Sequence, residues 1–245
     1  MTNSTRSSLP VVIFDGDDTL WETERLYDEA REAAKSLVVA VGLDGDAWDA
    51  LQRKLDFANA KLYGFSKIRF PLSCVEAYEQ TTWRAGLSID HSVATSVRVA
   101  AESVFSASAD VIPGVVDTLQ VVRTQRRLVL LTQGDSDVQW HRIRTSGLEP
   151  LFDRIQIVDS KNDDVLRKLL SELGADLAST WLVGNSLRSD INPARQCGVK
   201  AIWVDAHVWE YERGELEHTD DGVSKAASIS EVASIIFAGE RTSDA

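Results

Sequence analysis

The sequence predicts an α/β protein, a Rossmann-like doubly wound parallel sheet with an α-helical unit inserted after the first strand. Three observations carry that prediction. Short β-branched or apolar runs, bounded by turn residues, recur at residues 11–14, 128–131, 155–158, 181–183 and 201–204, the pattern of strands buried on both faces. Between the last four runs lie helical patterns over residues 136–146, 163–173 and 190–197, each close to the length that a right-handed crossover requires. The first and second runs are separated by more than a hundred residues of largely helical period, too many for one crossover and enough for an inserted unit.

The elements follow in order. Gly147, Gly174 and Gly198 stand just past the three crossover helices, where a C-cap glycine ends a helix. Within the insert, residues 22–41 place Leu26, Ala30, Ala33, Ala34, Leu37 and Val41 on one expected apolar face. Further helices are expected over 46–62, 72–84 and 91–105, and Pro113-Gly114 opens a helix over 115–124 that returns the chain to the core. The domains expected are a core of residues 9–20 and 109–238, a helical cap of 21–108, and disordered tails at 1–8 and 239–245.

The 245 residues, 44% of them hydrophobic, suffice for one substantial core and a smaller appended unit. With 38 acidic against 26 basic side chains the net charge is -12, which disfavours binding to a nucleic-acid backbone or an anionic membrane. A small phosphorylated metabolite is compatible with that charge, because a bound cation reverses the local field. Cys74 and Cys197 lack the spacing of a disulfide framework or a zinc site, so both are expected as buried fillers in a reducing cytosol. The polar start MTNSTRSS and the absence of an uncharged apolar run of about 18 residues point to a cytoplasmic protein. Oligomeric state has no signature in the chain.

In an open parallel sheet, ligands gather beyond the carboxyl ends of the strands. Four of the runs end in polar clusters: Asp15-Gly16-Asp17-Asp18-Thr19, Thr132-Gln133-Gly134, Asp159-Ser160-Lys161, and Gly184-Asn185-Ser186-Leu187-Arg188-Ser189-Asp190. Carboxylates, a hydroxyl, an ammonium and an amide are thus offered to one crevice.

With these motifs in this order, the sequence resembles the haloacid dehalogenase superfamily, and IFDGDDTL is similar to its first motif, DxDxT. The resemblance implies a magnesium-dependent phosphohydrolase of a small soluble phosphate. Asp15 would be the nucleophile, because a carboxylate attacking phosphorus divides one difficult hydrolysis into two easier steps. Asp17 would be the general acid and base, its backbone carbonyl also a metal ligand, and Thr19 an orienting hydroxyl. Thr132, with the backbone N–H groups of Gln133 and Gly134, would bind phosphoryl oxygens, and Lys161 would neutralise the transferring group. Magnesium would take Asp15, the Asp17 carbonyl, Asn185, and Asp190 directly or through water. Asn185 departs from the family pattern, in which many relatives carry aspartate, and the lost charge implies weaker metal binding.

Blander roles compete with these. Asp18 can be a solvated turn, Thr132 a helix cap, Lys161 a surface charge and Asp190 an N-cap. The seven tryptophans are expected as packing residues, and His207 as structural or exposed. In the helical unit, Lys61, Tyr63, Lys67 and Arg69 form a basic and aromatic group that could select the leaving group. Alternatives to a phosphomonoesterase are a phosphomutase, a phosphonatase, a dehalogenase, or a non-catalytic phosphate-binding protein of the same fold.

Overall fold

The computed structural model describes residues 8–206, 209, 215–216 and 222–241. His207, most of the expected N-terminal tail and residues 242–245 lie outside them. Residues 239–241, expected as tail, continue the last helix.

By their mutual contacts the described residues form two units. One takes in the chain up to Glu22, Ala109–Gln133 and everything from Arg142 onward; the other is Thr23–Ser108 together with Gly134–His141.

The first unit holds a six-stranded sheet of β1 (Val11–Phe14), β2 (Arg127–Gln133), β3 (Arg154–Val158), β4 (Trp181–Gly184), β5 (Lys200–Val204) and β6 (Val223–Ala226). Every pairing is parallel and the spatial order is β3-β2-β1-β4-β5-β6. β1 lies between β2 and β4, with Ile13 opposite Val129 on one side and Leu182 on the other. The winding direction reverses between β1 and β4, so the carboxyl end of β1 opens at the switch point, where such sheets bind ligands. All four residues of β1 are buried, and each large apolar side chain so placed stabilises the fold by about 1.5–3 kcal/mol. β6 was not expected: its sequence, VSKA, has no continuous apolar run.

The helices of this unit are α5 (Val115–Arg123), the part of α6 (Ser136–Ser146) from Arg142 onward, α7 (Asp163–Leu173), the short α8 (Asn192–Gln196) and α9 (Val232–Arg241). In α7, Leu166, Leu169, Leu170 and Leu173 recur at helical spacing and pack into the same core cluster as Ile13, Val129 and Leu182. The helix is capped by Asn162, whose Oδ1 accepts from the Val165 N–H at 2.9 Å, and ends at Gly174 in the left-handed region. The helix expected over 190–197 is replaced by a wide turn, Leu187–Ile191, followed by α8. Ile191 N–H reaches back five residues to the Ser186 carbonyl, and the Ser186 hydroxyl accepts from Ser189 N–H. Ser186, not Asp190, therefore caps this segment, and wide turns of this kind favour functional sites.

The second unit is helical: α1 (Glu24–Ala40), α2 (Gly45–Tyr63), α3 (Arg69–Arg84) and α4 (His91–Glu102). In α1 the buried column is Leu26, Ala30, Ala34 and Val38, spaced by four, whereas Ala33 and Val41 are exposed. Asp44 and Asp90 cap α2 and α4 through side-chain oxygens. α3 starts at Arg69, three residues earlier than expected, because Pro71 falls in its first turn, where the missing N–H costs no helical bond.

Residues 134–141, expected in the core, group with this unit. Lys67 N–H donates to the Asp135 carboxylate, Lys67 Nζ pairs with Asp137 at 2.5 Å, and His141 Nε2 lies 3.0 Å from the Ser106 carbonyl oxygen. Both cysteines are free and buried. No described helix is long and apolar enough to cross a membrane.

Candidate active site

Asp15 follows β1 directly, and its N–H donates to the Val183 carbonyl of β4 at 2.9 Å, which fixes the backbone at the switch point. Gly16 comes next because nothing larger fits. A Cβ there would lie 2.5 Å from the Trp21 ring and 3.2 Å from Thr132 Oγ1, which also places Thr132, at the end of β2, against the first loop. Asp18 turns the chain in the left-handed region at φ 56°, a conformation aspartate tolerates better than most residues.

Lys161, in the segment after β3, sends Nζ to Asp15 Oδ1 at 2.5 Å and to Asp190 Oδ1 at 2.6 Å. Its backbone N–H donates to Gln133 Oε1 at 2.9 Å, so the side chain of Gln133 holds the lysine's main chain in place. Asp190 Oδ2 accepts from Ser186 N–H at 3.1 Å, which leaves Asp190 oriented on Lys161. Gly184 makes room for it: a Cβ on Gly184 would lie 2.4 Å from the Asp190 carboxylate.

Two buried carboxylates thus share one ammonium. Burial pushes the Asp15 carboxyl up to about 7; Lys161 pulls it down, while Asp190 and Asp17 add to the rise. Burial opposes the charge on Lys161, but Asp15 and Asp190 outweigh it and raise the ammonium above its ordinary value.

Among the described residues no group of three or more His, Cys, Asp or Glu side chains is arranged to hold a metal ion. The donors that do meet form a mixed oxygen set. Thr19 Oγ1 lies 3.0 Å from Asp15 Oδ2 and 3.3 Å from Asn185 Oδ1, bringing a carboxylate and an amide oxygen from two strand ends together. The Asn185 backbone is fixed by Trp203 Nε1, which donates to its carbonyl at 3.0 Å. Oxygen donors beside an excess of buried negative charge fit a hard divalent cation that keeps part of its water.

Asp17 is held on both oxygens. Trp21 Nε1 donates to Oδ1 at 2.7 Å and Arg142 Nη1 to Oδ2 at 2.8 Å. Neither partner was expected at the site. Trp21 was read as packing, and it is indeed fully buried. Arg142 stands 125 residues from Asp17, although one signal was available: it lies four residues after the buried Val138 on α6 and so on the inward face. Trp83, also read as packing, is 76% exposed.

The expected substrate-selecting residues of the helical unit separate. Arg69 is buried, pairs with Asp56 at 2.8 Å and covers the Phe65 ring, holding helices together in the interior. Lys67 pairs with Asp137. Tyr63 is exposed, and Lys61 is exposed with its ammonium over the Phe57 ring.

The switch point of the parallel sheet thus presents a buried carboxylate, an ammonium and a second carboxylate two residues on. The family profile of haloacid dehalogenase-like hydrolases matches residues 9–198, and the chain belongs to that family. It is similar to the glyceraldehyde 3-phosphate phosphatase of Methanothermobacter thermautotrophicus, 24% identical over 93% of this chain and all of that one. Among solved structures it resembles a haloacid dehalogenase-like hydrolase from Xanthomonas campestris, with a TM-score of 0.78, 24% identity and coverage of 96% and 97% of the two chains. The putative hydrolase YfnB of Bacillus subtilis, solved bound to magnesium, aligns with a TM-score of 0.65 at 19% identity over 93% of this chain and 98% of that one.

Proposed function

We propose that this protein is a magnesium-dependent, cytoplasmic phosphomonoesterase acting on a small phosphorylated metabolite through an aspartyl-phosphate intermediate. The observation that carries the reading is the buried Asp15 joined by one ammonium, Lys161, to Asp190, with Asp17 two residues away on the same loop. Family membership and the relatives named as phosphatases support it.

In this reading a carboxylate oxygen of Asp15 attacks phosphorus and the bond to the leaving oxygen breaks, with Asp17 giving that oxygen a proton. Water then attacks the same phosphorus while Asp17 takes its proton, and the acyl phosphate bond breaks to release inorganic phosphate and free Asp15. Lys161 balances charge on Asp15 and on the transferring group. Thr132 and the N–H groups of Gln133 and Gly134 bind phosphoryl oxygens. Asp190 orients Lys161 and need not touch the metal. Magnesium would be held by Asp15, the Asp17 carbonyl and Asn185, and when bound would offset the negative charge of the phosphoryl oxygens. In the helical unit, exposed Tyr63 and Lys61 remain the candidates for choosing the leaving group.

The test is turnover of p-nitrophenyl phosphate with and without magnesium, followed by a panel that includes glyceraldehyde 3-phosphate, sugar phosphates and nucleoside monophosphates. Metal-dependent turnover abolished by Asp15→Asn is expected. Turnover that survives that substitution refutes the nucleophile.

A further inference from the structure

Asp17 needs a defined direction as well as a defined charge. A carboxylate on a turn has free rotamers, and proton transfer demands an approach to the leaving oxygen within hydrogen-bond distance. The direction has to be set by neighbouring groups. Two buried side chains hold it: Arg142 from α6, 3% exposed, and Trp21 from the end of the first loop, fully buried. Each donates to a different oxygen of Asp17, at 2.8 and 2.7 Å. Two fixed donors on two oxygens define the plane of the carboxylate. The Asp17 side chain remains 28% exposed.

We propose that Arg142 and Trp21 are positioning residues that clamp the Asp17 carboxylate at the angle from which it delivers and recovers the proton of the hydrolytic cycle. The inference rests on the phosphatase reading above. The competing role is a plain structural ion pair that ties α6 to the first loop, and the two differ in what they do to different leaving groups. Breaking the bond to an acidic alcohol such as p-nitrophenol needs little help from a general acid; breaking the bond to an alkyl alcohol needs much. A defect confined to proton delivery therefore grows with the basicity of the leaving group, whereas a loosened fold harms all substrates alike.

The experiment measures kcat/KM of the magnesium-loaded enzyme for p-nitrophenyl, phenyl and alkyl phosphates, in wild type, Trp21→Phe, Arg142→Met and Arg142→Lys, with circular dichroism and melting curves for each. Because general acid–base groups contribute about 10²–10⁴-fold, Arg142→Met and Trp21→Phe are expected to lose about a hundredfold or more on alkyl phosphates and less than about tenfold on p-nitrophenyl phosphate. Arg142→Lys should recover part of the loss. Equal losses across the series, or none, overturn the inference. Should Arg142→Met fail to fold, Trp21→Phe, which keeps a ring and removes only the indole donor, gives the same comparison. A wild type that turns over none of the esters would refute the phosphatase reading itself, an outcome distinct from a flat series.

Discussion

Asp15 Oδ2 and Asn185 Oδ1 converge on one hydroxyl, Thr19 Oγ1, at 3.0 and 3.3 Å. One hydroxyl proton serves one acceptor at a time, so two buried oxygens from neighbouring strands compete for it. The proposed magnesium would satisfy both at once. In the proposed metal site the Asn185 amide would supply an oxygen without adding a third negative charge beside Asp15 and Asp190.

Asn185→Asp should therefore act in opposite directions with and without metal. With a chelator present, the added carboxylate repels Asp15 and lowers the melting temperature. With magnesium present, the extra charge should tighten binding on the order of tenfold, worth about 1.4 kcal/mol. Calorimetric titration of the metal checks the second effect and thermal melts the first. Unchanged affinity would remove Asn185 from the metal's ligands.

Lys161 is the counter-charge for two buried carboxylates, so its loss should destabilise as well as inactivate. Lys161→Met leaves Asp15 and Asp190 uncompensated, which costs about 3–5 kcal/mol for a buried pair that loses one partner. At about 2–4 °C per kcal/mol for a chain of this size, a fall in melting temperature of about 10 °C is expected in chelator. Adding Asp190→Asn should restore much of the stability and none of the turnover, a separation that melting curves and a phosphate-release assay read directly.

The sheet was legible because β1, β2 and β4 are buried on both faces and so had to be written as continuous apolar runs. Helix α7 was legible for the matching reason, a helical period over residues 163–173 closed by Gly174. β6 was not, since Val223-Ser224-Lys225-Ala226 at the edge of the sheet has one neighbour and carries polar side chains. The placing of Asp15, Thr132 and Lys161 at strand ends was legible because the strands themselves were. The clamp on Asp17 was not, because Arg142 meets it only through the tertiary fold. The Asp56 partner of Arg69 was hidden for the same reason: an arginine beside aromatic residues reads alike whether it faces a ligand or a buried aspartate.

Gly184 gives a test of geometry without a change of charge. A methyl group there would meet the Asp190 carboxylate at 2.4 Å, so Gly184→Ala must push Asp190 away from Lys161. Overpacking of this kind costs about 1–3 kcal/mol. The enzyme should remain folded while kcat falls, since Lys161 is then held by Asp15 and the Gln133 bond alone. Unimpaired kcat in a folded Gly184→Ala would mean that Asp190 does not orient the lysine.

Arg69 and Asp56 predict a pH dependence of the fold. Burial raises the Asp56 carboxyl above its ordinary value, and Arg69 works against that rise. A carboxyl with a higher proton affinity in the folded state than in the unfolded one gives stability that is full below the unfolded value, about 3.9, and is lost as pH climbs through the folded value. Arg69→Met removes the opposing charge and pushes the carboxyl further up, so the loss becomes larger and extends to higher pH. The variant should melt not far below wild type at pH 4.5 and well below it at pH 8, with a deficit of about 3–5 kcal/mol where Asp56 is ionised. Adding Asp56→Asn should flatten the profile, because no charge is then left to bury. A deficit independent of pH would mean that Arg69 contributes through packing rather than through its pair with Asp56.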